Sequence, residues 1–274
     1  MYVDLAGSGD LLTIAIDVVG GLPGAVLVGG IDDLRATGIR RGMSVVAAVG
    51  GLSISEAAVT IQTSSARVWS AALPAPSRLT AERPATADLV RSIDVARGVA
   101  GARAPSAGLG PLLAGAMEPA DPLVGVARDR IERQRWAFDA GDLASIIGEA
   151  VELVGLGPGL TPSGDDYLVG LLAGLESTGH RAHPALATAV AYAAPARTTA
   201  IGASVLGHAA RGAFAERLHD VLAAIGDGRD DDIDRAIGRA MAYGASSGAD
   251  TLVGLFVALD AAMADRARER NAAA

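Results

Sequence analysis

The sequence predicts an α+β fold: a β-rich N-terminal sheet or small barrel over residues 1–80, followed by a larger all-helical region over 81–274. Three observations carry this. Short runs of Ile, Val and Leu closed by Gly pairs fill the first eighty residues. A segment holding Pro74, Pro76 and Pro84 then interrupts the pattern. Beyond it, apolar residues recur at helical spacing, and strands segregated from helices mean α+β rather than alternating α/β.

The strands are expected at Leu11–Val19, Ala25–Val28, Val45–Val49, Ala57–Ile61 and Ala66–Ser70, with a short helix near Asp32–Thr37. Helices follow at Ala85–Gly101, Leu123–Phe138 and Asp142–Val154, with an irregular Gly/Pro-rich stretch, Ala102–Pro122, between the first two. In Asp142–Val154 the residues Leu143, Ile146, Ile147, Ala150, Val151 and Val154 share one face. Further helices are predicted from Asp165, then at Pro184–Ala194, Thr198–Ala215, Glu216–Ile225, Asp230–Tyr243 and Ser247–Ala267, ending in a charged tail at Arg266–Arg270.

The chain has 274 residues, no Cys and no Lys, so all 23 basic residues are Arg. Those absences remove the Walker-A loop, Schiff-base and pyridoxal chemistry, thiol nucleophiles and Cys-ligated metals. Chemistry is left to Asp, Glu, Arg, hydroxyls, four His and backbone N–H groups. A net charge of −8 argues against a nucleic-acid surface or an anionic membrane face. The opening MYVDLAGSGD does not read as a signal peptide and no long apolar run reads as a span, so a cytoplasmic location is expected.

The most informative feature is a repeat. Ser163–Leu175 (SGDDYLVGLLAGL) aligns with Ser247–Leu259 (SGADTLVGLFVAL), with Asp166 opposite Asp250 and Gly170 opposite Gly254. Ser163 and Asp166 stand three apart at a helix start, as do Ser247 and Asp250, which is close to a capping box. Thr161 is another possible cap. Gly170 and Gly174, and Gly254 and Ala258, stand four apart and allow two helices to approach closely. Paired in that way, the helices bring both acidic starts together.

Capping accounts for Ser163, Asp166, Ser247 and Asp250. It does not require Asp165, nor the Gly-rich run Gly155–Gly164. Glycines admit close backbone approach to a ligand, and a helix N-terminus attracts anions. The candidate phosphate or substrate contacts are therefore Gly157, Gly159, Thr161, Ser163 and Gly164, with Ser246, Ser247 and Gly248 from the second copy. Asp165, Asp166 and Asp250 are the candidate catalytic acids, and a bridging Mg²⁺ held by the same three is one expectation. Arg197 and Arg211 are candidate anion ligands. Arg197 precedes the hydroxyl-rich helix start of Thr198, Thr199 and Ser204, where Thr198 or Thr199 reads as an N-cap and Ser204 shares a face with His208. His180 and His183 are expected at the surface, and the acidic run Asp227–Asp234 reads as a helix start rather than a calcium loop.

The runs Gly155–Asp166 (GLGPGLTPSGDD), Tyr167–Leu172 and Ser246–Thr251 (SSGADT) resemble the signature of the AllH-like family, formerly a domain of unknown function. The β-rich start with a late Trp69, followed by helices carrying both motifs, is similar in layout. The family's namesake is a subunit of oxamate carbamoyltransferase in allantoin breakdown, a branch of purine catabolism. The resemblance implies a role in converting oxalurate and phosphate into oxamate and carbamoyl phosphate, or a related reaction of a small acid. It also implies hetero-subunits, with a homo-oligomer as the other arrangement. Two alternatives remain open: a Mg-dependent hydrolase resembling ADP-ribosylglycohydrolases, through Ala249-Asp250-Thr251, and a non-catalytic assembly subunit.

Overall fold

The computed structural model describes residues 1–5, 11–16, 20–73, 86–116 and 121–273. The chain divides into two compact units, Met1–Ala71 and Ala72–Ala274. The first unit holds two three-stranded sheets and no closed barrel. In one, β1 (Tyr2–Asp4) runs antiparallel to β2 (Leu11–Ile16), which lies parallel to β3 (Ala25–Val28). In the other, β4 (Val46–Ala48), β5 (Gly51–Ile54) and β6 (Val59–Gln62) form an antiparallel meander. The predicted helix near Asp32–Thr37 is a single 3₁₀ turn, Leu34–Thr37, capped by the Asp33 carboxylate on Arg35 N–H.

Two departures concern strands. Residues Ala66–Ser70 are not a strand; instead Trp69 lies flat against Gly21, where a Cβ would come within 2.7 Å of the indole. Strands β1 and β5 were not expected from sequence, being short and weakly apolar. The predicted Leu11–Val19 ends at Ile16 among the described residues; 17–19 and the Pro-rich 74–85 lie outside them.

The second unit is helical. Its helices are α1 (Thr86–Ala102), α2 (Gly110–Leu113), α3 (Pro122–Ala140), α4 (Leu143–Leu153), α5 (Ser163–Thr178), α6 (His183–Arg197), α7 (Ala200–Ala210), α8 (Glu216–Asp227), α9 (Asp230–Met241) and α10 (Ser247–Ala273). The short α2 falls inside the stretch read as irregular. Helix boundaries follow local chemistry: Asp121, Asp142 and Thr199 each cap the helix that follows, and Gly141, Gly179 and Gly228 close helices in the left-handed region.

α5 and α10 form the centre, with Tyr167, Leu168, Leu171, Leu172, Leu252, Leu255 and Phe256 buried. By length and composition α10 is apolar enough to cross a membrane, but most of it is buried within this unit. The tail read as a charged end stays helical through Ala273, with Arg268 bonded to Asp265 and to the Phe138 carbonyl. His180 is buried rather than superficial. Its Nε2 lies 3.0 Å from an Asp265 oxygen, and its ring meets Phe138 edge-on. His183 is half-buried beside Glu176.

Candidate functional site

The repeat exists because two helices touch backbone to backbone. A Cβ on Gly170 would come within 1.8 Å of the Thr251 carbonyl oxygen, and one on Gly254 within 1.9 Å of the Tyr167 carbonyl oxygen. Tyr167 and Thr251 are equivalent in the repeat, as are Gly170 and Gly254, so a local two-fold exchanges the contacts. Gly174 meets Ala258 one turn further on. The glycines at the second position of each helix behave alike. Gly164 sits against the Leu153 carbonyl at the end of α4, and Gly248 against the Ala240 carbonyl near the end of α9. Two helical hairpins, α4–α5 and α9–α10, thus bring their acidic starts together.

The capping box is not formed at α5. Pro162 is the N-cap and offers no side-chain acceptor. The Gly164 N–H is satisfied by the Leu156 carbonyl of the preceding loop, at 2.8 Å. The acids are instead exchanged between helices: the Ser247 hydroxyl serves Asp166, and the Ser163 hydroxyl serves Asp250. Thr161 also hydrogen-bonds Asp166 and lies 3.4 Å from Ser247, while Ser246 serves Asp250.

The three acids differ in how they are used. Asp165, with no exposed surface, is fully engaged: Oδ1 accepts from Gly155 N–H at 2.7 Å and Oδ2 from the Thr198 hydroxyl. Burial raises its pKa, and the Thr198 and Gly155 bonds oppose the rise. Asp250 accepts from Leu109 N–H at 2.6 Å through Oδ1, but its buried Oδ2 has no hydrogen bond. Burial raises its pKa as well, against the Leu109, Ser163 and Ser246 bonds. Asp166 likewise carries a buried Oδ2 without a partner. Burial, aided by the charges of Asp250 and Asp165, pushes its pKa up to about 7 despite the Ser247 and Thr161 bonds.

The remaining predicted residues divide between a tie and a rim. The loop glycines Gly155, Gly157 and Gly159 all have positive φ. Gly157 passes within 2.9 Å, measured from a would-be Cβ, of the Ser163 nitrogen. The Thr199 hydroxyl accepts from Gly202 N–H as the α7 cap and donates to the Leu160 carbonyl at 2.5 Å. Thr198 and Thr199 therefore fasten the Gly-rich loop to the start of α7. Arg197 is exposed and paired with Glu152, Arg211 is exposed near His208, and Ser204 lies half-buried further along α7. None of the three joins the orphaned carboxylates.

A further cation of the helical unit is buried, and sequence reasoning missed it. The Arg217 guanidinium of α8 stacks on the Tyr243 ring, 3.3 Å from its centroid, with Nη1 buried and unpartnered. Burial lowers its pKa, while Tyr243 and Asp166 support its charge. Its local pattern, Glu216-Arg217-Leu218-His219, looks like a solvated helix start, and only the packing of Tyr243 discloses it.

Among the described residues no group of three or more His, Asp or Glu is arranged to hold a metal ion. Asp165 Oδ1 and Oδ2 each accept a hydrogen bond from the protein.

Residues 153–259 match the family model of the oxamate carbamoyltransferase subunit AllH. The AllH match begins at the end of α4 and ends within α10, so it contains the Gly-rich loop, Asp165, Asp166, Arg217 and Asp250. It bears out the resemblance read from GLGPGLTPSGDD and SSGADT, and it relates this segment to a carbamoyltransferase subunit. No curated protein and no solved structure matches the chain.

Proposed function

We propose that the chain is a carbamoyltransferase subunit that binds a small anionic carbamoyl substrate and phosphate where α5 and α10 begin. The observation that supports this most is the pair of buried, unpartnered carboxylate oxygens of Asp166 and Asp250 inside the AllH match. A structural acid spends its oxygens, as Asp165 does. Leaving two such atoms unspent costs stability, on the order of 1–3 kcal/mol each, and suits groups reserved for a ligand.

The chemistry follows for oxalurate. A phosphate oxygen attacks the ureido carbonyl carbon, the new C–O bond forms, and the C–N bond to oxamate breaks. The leaving nitrogen needs a proton. Asp166, poised near neutrality, delivers it and recovers one from the attacking hydrogen phosphate, so no net proton is consumed. The N–H groups of Gly157 and Gly159, at the positive end of α5, are the proposed phosphate donors. Asp165, Thr198 and Thr199 position that loop. Hetero-subunits would complete the enzyme.

The test is phosphate-dependent release of oxamate from oxalurate by the chain, alone and with its co-purifying partners. The expected result is turnover that Asp166→Asn abolishes. Full turnover in that variant would remove Asp166 from the reaction. No turnover under any combination would favour an assembly role.

A further inference from the structure

Val253, Phe256 and Asp260 stand at i, i+3 and i+7 on α10, a different face from the Gly254–Ala258 stripe that meets α5. Val253 and Phe256, with Leu112, Leu113 and Ile131, form the apolar floor of a cavity of about 220 Å³ between α1, α2, α3 and α10. Of its lining only Val253 and Phe256 fall within the AllH match, and neither the Gly-rich loop nor any of the three acids takes part. The charged lining is Arg97, Arg128, Arg135 and Glu132, three cations against one anion. All four side chains reach solvent, so they mark the mouth above the apolar floor.

Asp260 fixes two of these cations. Its Oδ1 accepts from Arg97 Nη2 at 2.5 Å and its Oδ2 from Arg135 Nη1 at 2.8 Å. Arg97 also lies over the Phe256 ring, 5.2 Å from the centroid, which holds it above the floor. One carboxylate between two guanidiniums leaves one positive charge over, and each guanidinium carries donors beyond the single bond that it gives Asp260. Arg128 is satisfied differently, by Asp129 at 2.8 Å and Glu132 at 3.9 Å.

We propose that this cavity binds a small monocarboxylate with a short apolar chain, its carboxylate on Arg97 and Arg135 and its chain on the floor that Val253 and Phe256 form. Volume decides the size, since sites for drug-sized ligands run to about 300–1,000 Å³. Charge decides the head group. A dianion such as hydrogen phosphate exceeds the one spare charge and gains nothing from an apolar floor. An amine meets three guanidiniums and is repelled. A planar carboxylate matches the fork of donors that a guanidinium presents.

Calorimetric titration of the full chain with hexanoate at pH 7, beside butanoate and hexylamine, tests this. Hexanoate is expected to bind about tenfold more tightly than butanoate, since each buried methylene is worth about three- to fourfold. Hexylamine, with the same chain and the opposite charge, is expected not to bind. Arg135→Gln should weaken hexanoate about tenfold, the worth of one charge-assisted bond. Ala116→Phe adds a ring to the lining and should abolish binding. Asp166→Asn should bind hexanoate as the wild type does, because Asp166 does not line the cavity. Circular dichroism and Tm confirm folding; if Ala116→Phe does not fold, Arg135→Gln and the wild-type series decide. No binding of hexanoate, equal binding of butanoate or hexylamine, or unchanged affinity in either folded lining variant would overturn the proposal. Loss of binding in Asp166→Asn would also overturn it, by placing the ligand at the acidic helix starts.

Discussion

Gly170 lies so close to Thr251 that a single added methyl would stand 1.8 Å from the carbonyl oxygen, and the local two-fold repeats this at Gly254 and Tyr167. Backbone cannot yield as a side-chain tip can. Gly170→Ala and Gly254→Ala are therefore each expected to cost about 3 kcal/mol or more, by separating the two central helices. Gly98 is the control. It lies within α1, and a Cβ there meets nothing within 4 Å. Gly98→Ala should stabilise by about 0.5–1 kcal/mol, through helix propensity and a less flexible unfolded chain. Chemical denaturation of the three variants checks the contrast; a mild Gly170→Ala would show that the helices are not in backbone contact.

Asp165 is expected to behave as a structural tie. In Asp165→Ala the Gly155 N–H loses its partner and the Thr198 hydroxyl loses its acceptor. The cost should be about 1–3 kcal/mol, with the Gly-rich loop loosened from α7. Faster amide exchange at residues 155–161, measured beside Tm, would report the loosening. Unchanged exchange there would contradict the assigned role.

Tyr167 makes a different prediction. Its hydroxyl donates to Gln134 Oε1 at 2.5 Å, and Gln134 Nε2 continues to the Ile146 carbonyl at 3.2 Å. Both side chains are fully buried. Tyr167→Phe leaves a buried amide oxygen without a donor and should cost about 1–3 kcal/mol, more than an exposed hydroxyl would. A double variant that also replaces Gln134 by Leu should recover part of the loss, because the unsatisfied acceptor is then gone.

Much of this was legible in the residues. The thirteen-residue repeat announced the helix pair, and the spacing of Gly170, Gly174, Gly254 and Ala258 announced its closeness. The AllH resemblance was carried by a run long enough to be specific. Other features depend on tertiary contact, which local pattern does not encode. Ser163 and Asp166 look like a capping box because the spacing is the same whether an Asp serves its own helix or its neighbour's. Arg217 looks solvated because nothing nearby in sequence predicts Tyr243 beneath it. Asp165, beside Asp166, looked equally catalytic; only the Gly155 and Thr198 donors separate a spent carboxylate from an unspent one. Ala66–Ser70 was apolar enough for a strand, but Trp69 is used against Gly21 instead.

The central claim is that Asp166 is kept at a cost to the fold for the sake of chemistry, and its pH dependence tests this most directly. The ordinary aspartate value is 3.8, and burial lifts Asp166 to about 7. Between those values the folded chain holds a proton that the unfolded chain has released. The contribution of Asp166 to stability therefore falls as pH rises from about 4 to about 7, and stays low above that. Asn carries no charge and escapes the penalty, which is on the order of a few kcal/mol. The decisive measurement is the Tm of Asp166→Asn against the wild type at pH 4 and pH 8. The account predicts nearly equal values at pH 4 and a higher Tm for the variant at pH 8. A lower Tm for Asp166→Asn at pH 8 would contradict it and make Asp166 a structural acid.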